Sequence, residues 1–594
     1  MPIYRAPVQD ALFIIRELLQ PQQYGIASFQ EALDLVEPLL EEGAKLCEHV
    51  LFPLNQSGDK QGCRYEQGNV RMPDGFKEAY KTYCEGGWPS FTAHTEYGGQ
   101  GLPEFLSMPV TEMVCSANLS FGLTPGLSHG AYNAIYLHGT QELRERFLPH
   151  IATGSWSGVM CLTEPQAGTD LGLLTTRAQP HGDGTYGLTG NKIFISSGEQ
   201  DLTENILHLV LARLPDAPKG VKGISLFLVP KIWVNEDGSL GERNGVVCGG
   251  LEEKMGIHAS ATCVMNYDNA RGYLIGEAHK GLKAMFTMMN AARIYVGVQG
   301  LGLAEVAWQN ARAYANDRLQ GRALKGAAYP DKKADPLTVH PDVRRNLLWM
   351  RAHVEAGRAL VMETALKLDL AHRHPDAAAR EEADDFVQLM TPIVKAHLTD
   401  IGYDVANMAM QIYGGHGYIR EYGIEQYARD ARIAQIYEGT NGIQAMDLVG
   451  RKLPHQMGKY LRSFFHPVQA FVEENSKNPA MQEFALPLGK ALEQLQQASL
   501  WIAKQGLTNP DDAGAAASEY LKMFSHVTFA WIWARQAKIA QEKLAVGVPN
   551  PQFYQDKLDT ARFFMARVLP QTVSLMMCLT KGSAAIMQTN LSAE

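Results

Sequence analysis

Ile206-Leu207-His208-Leu209-Val210-Leu211 is the stretch on which the fold turns, with Lys192-Ile193-Phe194-Ile195 before it and Ile224-Ser225-Leu226-Phe227-Leu228-Val229 after it. These runs are short, β-prone and separated by Gly, Asp and Pro turns, so the chain from Ser155 to about Gly276 reads as a small barrel or sandwich. Helical periodicity surrounds it on both sides, and the fold class is therefore mostly α with a central β domain. Five regions follow: a lead-in over 1–40 with one helical pattern, a helical region over 41–154, the β region over 155–280, long helices over 281–455, and a further helical region over 456–594. Turns punctuate them. Tyr97-Gly98-Gly99-Gln100-Gly101-Leu102-Pro103 breaks the first helical region, and Asp317 to Pro341 is a Gly/Lys/Pro-rich loop within the second. Asn509-Pro510-Asp511-Asp512 reads as a helix start, and Gly547-Val548-Pro549-Asn550-Pro551 separates the last two helices.

At 594 residues, with 46% apolar and 20% charged, the composition is that of a globular protein with a large core. A formal charge of -9, from 54 basic and 63 acidic residues, argues against a nucleic-acid binder but leaves room for a local basic pocket. The eight cysteines are scattered with no C-x-x-C pair, so neither a disulfide framework nor a metal pattern is expected. No secretory leader and no apolar run long enough to span a membrane are visible, which leads to the expectation of a cytoplasmic protein.

Four segments carry the candidate chemistry. Gln435-Ile436-Tyr437-Glu438-Gly439-Thr440 follows the charged run Arg429-Asp430-Ala431-Arg432, so Glu438 stands where a helical run gives way to a turn and can point into a cleft. By residue type alone it reads as a solvated surface carboxylate, and only its neighbouring motifs change that. Thr163-Glu164-Pro165-Gln166-Ala167-Gly168-Thr169-Asp170 offers backbone N–H groups and two hydroxyls to a planar heterocycle, and equally fits an ordinary Pro/Gly hairpin. Gln411-Ile412-Tyr413-Gly414-Gly415-His416-Gly417 is a weak phosphate-cradle signal, equally a turn between helices. Arg318 has a planar fork suited to a diphosphate, and equally fits a surface helix.

Together, from about Gly86 to Leu453, these motifs resemble the acyl-CoA dehydrogenase family. The resemblance implies a helical domain, a β-barrel and a four-helix bundle, here with an extra C-terminal helical domain. It also implies FAD, because no side chain accepts a hydride. Glu438 would be the catalytic base that takes the α-proton of an acyl-CoA thioester. Desolvation would raise its pKa, and its own backbone N–H and the flavin ribityl 2'-hydroxyl would polarise the thioester carbonyl. For the cofactor the resemblance implies Met160, Leu162, Thr163, Gly168, Thr169, Phe194 over one flavin face, Ser196 on the ring, Arg318 on the pyrophosphate, and Thr440. Gln411, Gly414 and Gly415 would hold the adenosine diphosphate of an FAD bound mostly by a neighbouring subunit, hence a homodimer or a dimer of dimers. The substrate would meet Thr169, Asn290, Arg293, Glu438 and Gly439, and part of its cavity would be lined from Asn118 to Asn133. Electrons would pass to an electron-transferring flavoprotein.

Three positions depart from the family pattern: Gly442 and Pro341 replace glutamines and His258 replaces an arginine, while Asn290 stands where many relatives have Asp. The helical tail resembles that of a C-terminally extended bacterial subgroup acting on 3-(methylthio)propanoyl-CoA, and a short or medium acyl-CoA of this kind is the expected substrate. A long-chain acyl-CoA dehydrogenase, an acyl-CoA oxidase and a flavin-containing DNA-associated alkylation-response protein share the core; the last is disfavoured by the acidic residues of the tail. Within that tail, Tyr520 to Trp533 fits either an amphipathic membrane segment or a buried interface.

Overall fold

A computed structural model of the chain describes residues 2–591, which form two compact units. The first holds Glu42–Leu102 and Met113–Tyr295. Its β region comprises β1 (Trp156–Cys161), β2 (Arg177–Pro180), β3 (Tyr186–Ser196), β4 (Asn205–Arg213), β5 (Ile224–Pro230), β6 (Val246–Leu251) and β7 (Thr262–Ile275). The strand order is β6-β7-β3-β2-β4-β1, and β5 bonds to both β7 and β4. The circuit β7-β3-β2-β4-β5 therefore closes on itself, giving the small barrel expected from the sequence. β1 and β5 are buried along their whole length and β4 up to Arg213, which is why they read as unbroken apolar runs.

Helix α1 (Glu104–His138) is interrupted at Asn118, whose backbone leaves the helical region (φ -161°, ψ 90°). The Asn118 carboxamide oxygen then accepts from the Phe121 N–H at 3.1 Å and restarts the helix, as an N-cap does. The later part of α1 and the helix α2 (Gln141–Thr153) pack Ala131, Ile135, Phe147 and Ile151 into one core with Leu207, Leu209 and Leu226 of the sheet. Phe121 joins Phe76, Tyr80 and Tyr83 in an aromatic cluster of this unit's core. A small hairpin, Arg64–Glu66 with Asn69–Arg71, interrupts the region read as helical. Its turn residues Gln67 and Gly68 both have positive φ, the geometry of a tight two-residue hairpin turn.

The second unit holds the chain up to Glu41, Pro103–Glu112, and everything from Val296 on. Its main elements are the latter part of α3 (Gly281–Asp317), α4 (Pro341–Arg373), α5 (Ala377–Tyr413), α6 (Ile424–Arg432) and α7 (Asn441–Asp447). The tail adds α8 (Lys459–Asn475), α9 (Gln482–Thr508), α10 (Pro510–Val546), α11 (Pro551–Arg567) and α12 (Gln571–Leu579). Asn509 caps α10 as its sequence suggests, but α11 is not the last helix. α3 and α5 cross closely because Gly300 and Gly402 face each other; a Cβ on Gly402 would lie 2.7 Å from the Gly300 Cα.

The stripe from Tyr520 to Trp533 is core. Tyr520, Phe524, Phe529, Ile532 and Trp533 are fully buried, and the Trp533 indole N–H donates to the Ala352 carbonyl of α4 at 2.9 Å. The membrane reading of this stretch is thus overturned by burial, and among the described residues no helix is long and apolar enough to cross a membrane.

A buried ion cluster ties lead-in, bundle and tail together. The Arg358 guanidinium donates to Glu112, Glu305 and Asp10, and the Lys557 ammonium to Asp10 and Glu355. Arg351 extends the network to Glu355 at 2.6 Å and Asp556 at 3.1 Å. Carboxylates outnumber cations in it, and burial pushes the Glu112 carboxyl up to about 7 against the pull of Arg358. Replacing Arg358 by Met leaves three buried carboxylates facing one another, so we expect a loss of about 3–5 kcal/mol in unfolding free energy. Stranded acids titrate upward in the fold and are tolerated only when protonated. The deficit in melting temperature relative to wild type should therefore be larger at alkaline than at mildly acidic pH.

Candidate active site

In the first unit, the end of β1 and the loop after it lie beside β3. The Ile193 N–H donates to the Thr163 carbonyl at 2.9 Å, and the Lys192 ammonium to the Leu162 carbonyl at 3.0 Å. Glu164-Pro165-Gln166-Ala167 does form a tight hairpin turn, closed by Ala167 N–H to Glu164 carbonyl at 2.9 Å. What fixes it is Glu164, which sequence reasoning passed over. Its buried carboxylate meets Lys192 at 2.8 Å and accepts from the Thr175 and Thr176 amides at 2.7 and 3.1 Å and from both their hydroxyls. Burial works to raise its pKa, but Lys192 and these donors outweigh it and hold the carboxyl at about 2. Thr163 and Leu162 are half-buried beside this anchor and Gly168 and Thr169 are exposed beyond it, whereas the Met160 side chain belongs to the hydrophobic core.

Phe194 is the most telling residue of this surface. It lies on β3 where the register with β7 shifts between Cys263 and Met265, its φ is +59°, and 59% of its surface is exposed. A left-handed conformation is costly for an aromatic residue, and the bulge here turns a large apolar ring outward. Ser196 follows at the end of the strand, half-buried. On α3, Arg293 is buried and its guanidinium donates to Asn290 Oδ1 at 3.4 Å, so these two residues share one face of the helix.

In the second unit, α6 ends in a short turn and Glu438 follows with φ +55°, Gly439 with φ +82°. Two successive left-handed residues reverse the chain abruptly, with the Glu438 side chain half-buried at the reversal. Three contacts hold the reversal. The buried Gln444 carboxamide donates to the carbonyls of Glu438 and Gly439 at 3.2 Å each, and Thr440 caps α7 by accepting from the Ile443 N–H at 3.3 Å. On the near side, the Tyr437 hydroxyl donates to Gln299. Asn441 and Gln435 both donate to Asp400 of α5 at 2.7 Å, one from each side of the turn. Of these supports only Thr440 was singled out in the sequence, and for the cofactor, not as a cap; Gln444, a lone amide among Ile443, Ala445 and Met446, was the remaining signal.

Arg318 stands exposed just past α3, and Gly414 and Gly415 form the turn after α5. Tyr314 brings them together: its ring stacks on Tyr413 with 4.0 Å between centroids, and its hydroxyl meets His416 Nδ1 at 2.8 Å. Gly414 has φ +61°, neither glycine has neighbours where a Cβ would stand, and Gln411 is exposed beside them. This turn follows a helix C-terminus, so it presents no helix N-terminal dipole to an anion. The loop between α3 and α4 is organised by the buried Asp335, which accepts from Ala323, Ala328 and Tyr329 amides and is held at about 2 despite burial. Two departures have local reasons. Pro341 is the first residue of α4, where its missing N–H is not needed, and His258 bridges the Asp59 carboxylate at 2.9 Å and the Lys254 carbonyl at 2.8 Å.

The chain matches four domain families in succession: "Acyl-CoA dehydrogenase, N-terminal domain" over residues 59–155, the middle domain over 159–270, the C-terminal domain over 279–453, and "Acetyl-CoA dehydrogenase C-terminal like" over 464–590. It is 44% identical over 569 residues to a 3-methylmercaptopropionyl-CoA dehydrogenase of Ruegeria pomeroyi, covering 95% of this chain and 96% of that one. The fold is shared with ACDH-11 of Caenorhabditis elegans, solved with C11-CoA, at TM-score 0.79 and 19% identity over 100% of this chain and 96% of that chain. It is also shared with an acyl-CoA dehydrogenase of Bacillus anthracis complexed with FAD, at TM-score 0.71 and 21% identity, covering 92% of this chain and 91% of that one.

A methyl group on Gly439 tests the reversal. At φ +82° it is strained, and the new Cβ would lie 2.8 Å from Gln444 Nε2. Gly439→Ala should lose more than about 1 kcal/mol of stability, and turnover should fall further than melting temperature alone explains.

Proposed function

Because the chain belongs to the acyl-CoA dehydrogenase family, whose members are FAD-dependent oxidoreductases, we propose that Glu438 is the base that takes the α-proton of its acyl-CoA thioester substrate. The observation that carries this is the braced left-handed pair Glu438-Gly439, a backbone cost that a surface carboxylate would not need. The reaction removes a proton from the α-carbon and a hydride from the β-carbon and leaves a trans double bond between them. FAD, when bound, supplies the acceptor for the hydride.

The residues present suit that cofactor. The outward Phe194 would cover one ring face, with Thr163, Leu162, Gly168, Thr169 and Ser196 around it, and Thr440 is a further flavin contact that the family pattern implies. Arg318, Gln411, Gly414 and Gly415 would take the diphosphate end of an FAD shared across a homodimer, which fits their exposure on the protomer. Glu438 receives the α-proton, and its backbone N–H donates to the thioester carbonyl, stabilising the enolate-like charge as the C–H bond breaks. Gly439, lacking a Cβ, lets the thioester approach the backbone. Arg293 and Asn290 orient the CoA portion. The preferred substrate is a short or medium acyl-CoA, 3-(methylthio)propanoyl-CoA foremost, in line with the Ruegeria relative, and electrons leave to an electron-transferring flavoprotein.

The test is a panel of acyl-CoA thioesters run with a dye acceptor on wild type and Glu438→Gln. Turnover should fall by about 10²–10⁴-fold in the variant, at unchanged flavin content. Full activity in the variant would remove Glu438 as the base. A preference for long chains would overturn the substrate reading, and peroxide release without an added acceptor would point to an oxidase.

A further inference from the structure

Three histidines from three distant segments meet in the second unit: His353 of α4, His397 of α5 and His526 of α10. All are at least 95% buried, their ring centroids lie 5.7–6.5 Å apart, and one ligand atom from each lies within 4.8 Å of the others. The Nε2 atoms of His353 and His397 and both ring nitrogens of His526 have no hydrogen-bond partner. Buried nitrogens left unpaired are costly, and three converging on one point is not what packing alone selects. A phenylalanine would fill the same space among Phe529 and Phe564 at no such cost.

The chemistry of the rings points one way. His353 Nδ1 lies 2.8 Å from the Trp349 carbonyl, which only accepts, so the proton sits on Nδ1 and the Nε2 lone pair faces the cluster. Burial lowers the pKa of His353 to about 4 and of His526 to about 3, and that of His397 well below the usual range. Neutral imidazole is the form that binds metals. They open onto a cavity of about 330 Å³ whose wall carries the carboxylates of Asp400 and Asp404, one and two turns along α5 from His397. Lys522, one turn before His526 on α10, also faces this cavity and opposes a cation, and the two carboxylates outweigh it.

We propose that His353, His397 and His526 form a transition-metal site, zinc-type, with the cavity side open for water or Asp400 as the fourth ligand. Three imidazoles select Zn²⁺ or its neighbours over Ca²⁺ and Mg²⁺, which take oxygen ligands. Bonds of about 2.0–2.1 Å require the three nitrogens to draw in to roughly 3.3 Å from one another, a closure small side-chain rotations supply. The ion would fasten the tail to the bundle. It would also stand one layer behind the Glu438 turn, because Asp400 already holds Gln435 and Asn441 on either side of it. The site does not depend on the assignment of Glu438.

Full-length holoprotein, stripped with a chelator and desalted, should retain a single equivalent of added Zn²⁺ per chain by elemental analysis and rise in melting temperature. Co²⁺ added alone should give the visible absorption of a tetrahedral nitrogen site, displaced by Zn²⁺. His526→Gln and His397→Gln, checked for folding by circular dichroism, should each weaken binding by more than tenfold. No retained metal and no spectral response in wild type would overturn the proposal and leave a dry aromatic cluster. Equal retention in the two variants would overturn it in favour of surface histidines.

Discussion

A glutamate and a glycine held one after the other in the left-handed region cannot stay there unaided, and much of the second unit is arranged to hold them. Gln444 takes the two carbonyls that the reversal exposes, Thr440 starts α7 immediately after it, and Asn441 and Gln435 clamp both sides onto Asp400. Lys395 in turn donates to Asn441 at 2.8 Å, so the turn rests on the inner face of α5. Long helices supply the rigidity a loop lacks. A carboxylate positioned this way loses little freedom when a substrate arrives, which is where positioned bases gain their rate.

The same helix explains why the tail is not an appendage. α5 carries His397 and Asp400 on one face, and α10 of the tail covers that face with His526 and Phe529. Trp533 and Arg535 fix α10 to α4, and Lys557 of α11 enters the ion cluster around Arg358 together with Asp10 of the lead-in. Sequence-distant ends thus share one buried electrostatic centre, and disturbing it should reach the Glu438 turn through α4 and α5. In the first unit, the Glu164–Lys192 pair plays the corresponding part, locking the Thr163 loop to the strand that presents Phe194.

Much of this was legible beforehand because local pattern and chemistry coincide. The apolar runs of β4 and β5 read as strands because both faces are buried, and the order of Thr163, Arg318, Gly414 and Glu438 carried the family and its cofactor. Positions set by tertiary partners were not legible. Nothing local marks Glu438 as left-handed, Glu164 as half of a buried pair, or Asp335 as the centre of its loop. Gln67-Gly68 makes a hairpin without the usual Asn. The stripe from Tyr520 to Trp533 fitted both a membrane and a core, since amphipathicity records that a face is covered and not by what. The histidine cluster was invisible because its members come from three separated helices.

In the proposed reaction the braced turn aims Glu438 at the substrate α-carbon. A crystal structure of the Glu438→Gln variant with FAD and an acyl-CoA bound tests it most directly. Residue 438 should keep its positive φ, with its side chain facing the α-carbon and its backbone N–H donating to the thioester carbonyl. A substrate whose α-carbon faces a different carboxylate, with residue 438 turned to solvent, would contradict it.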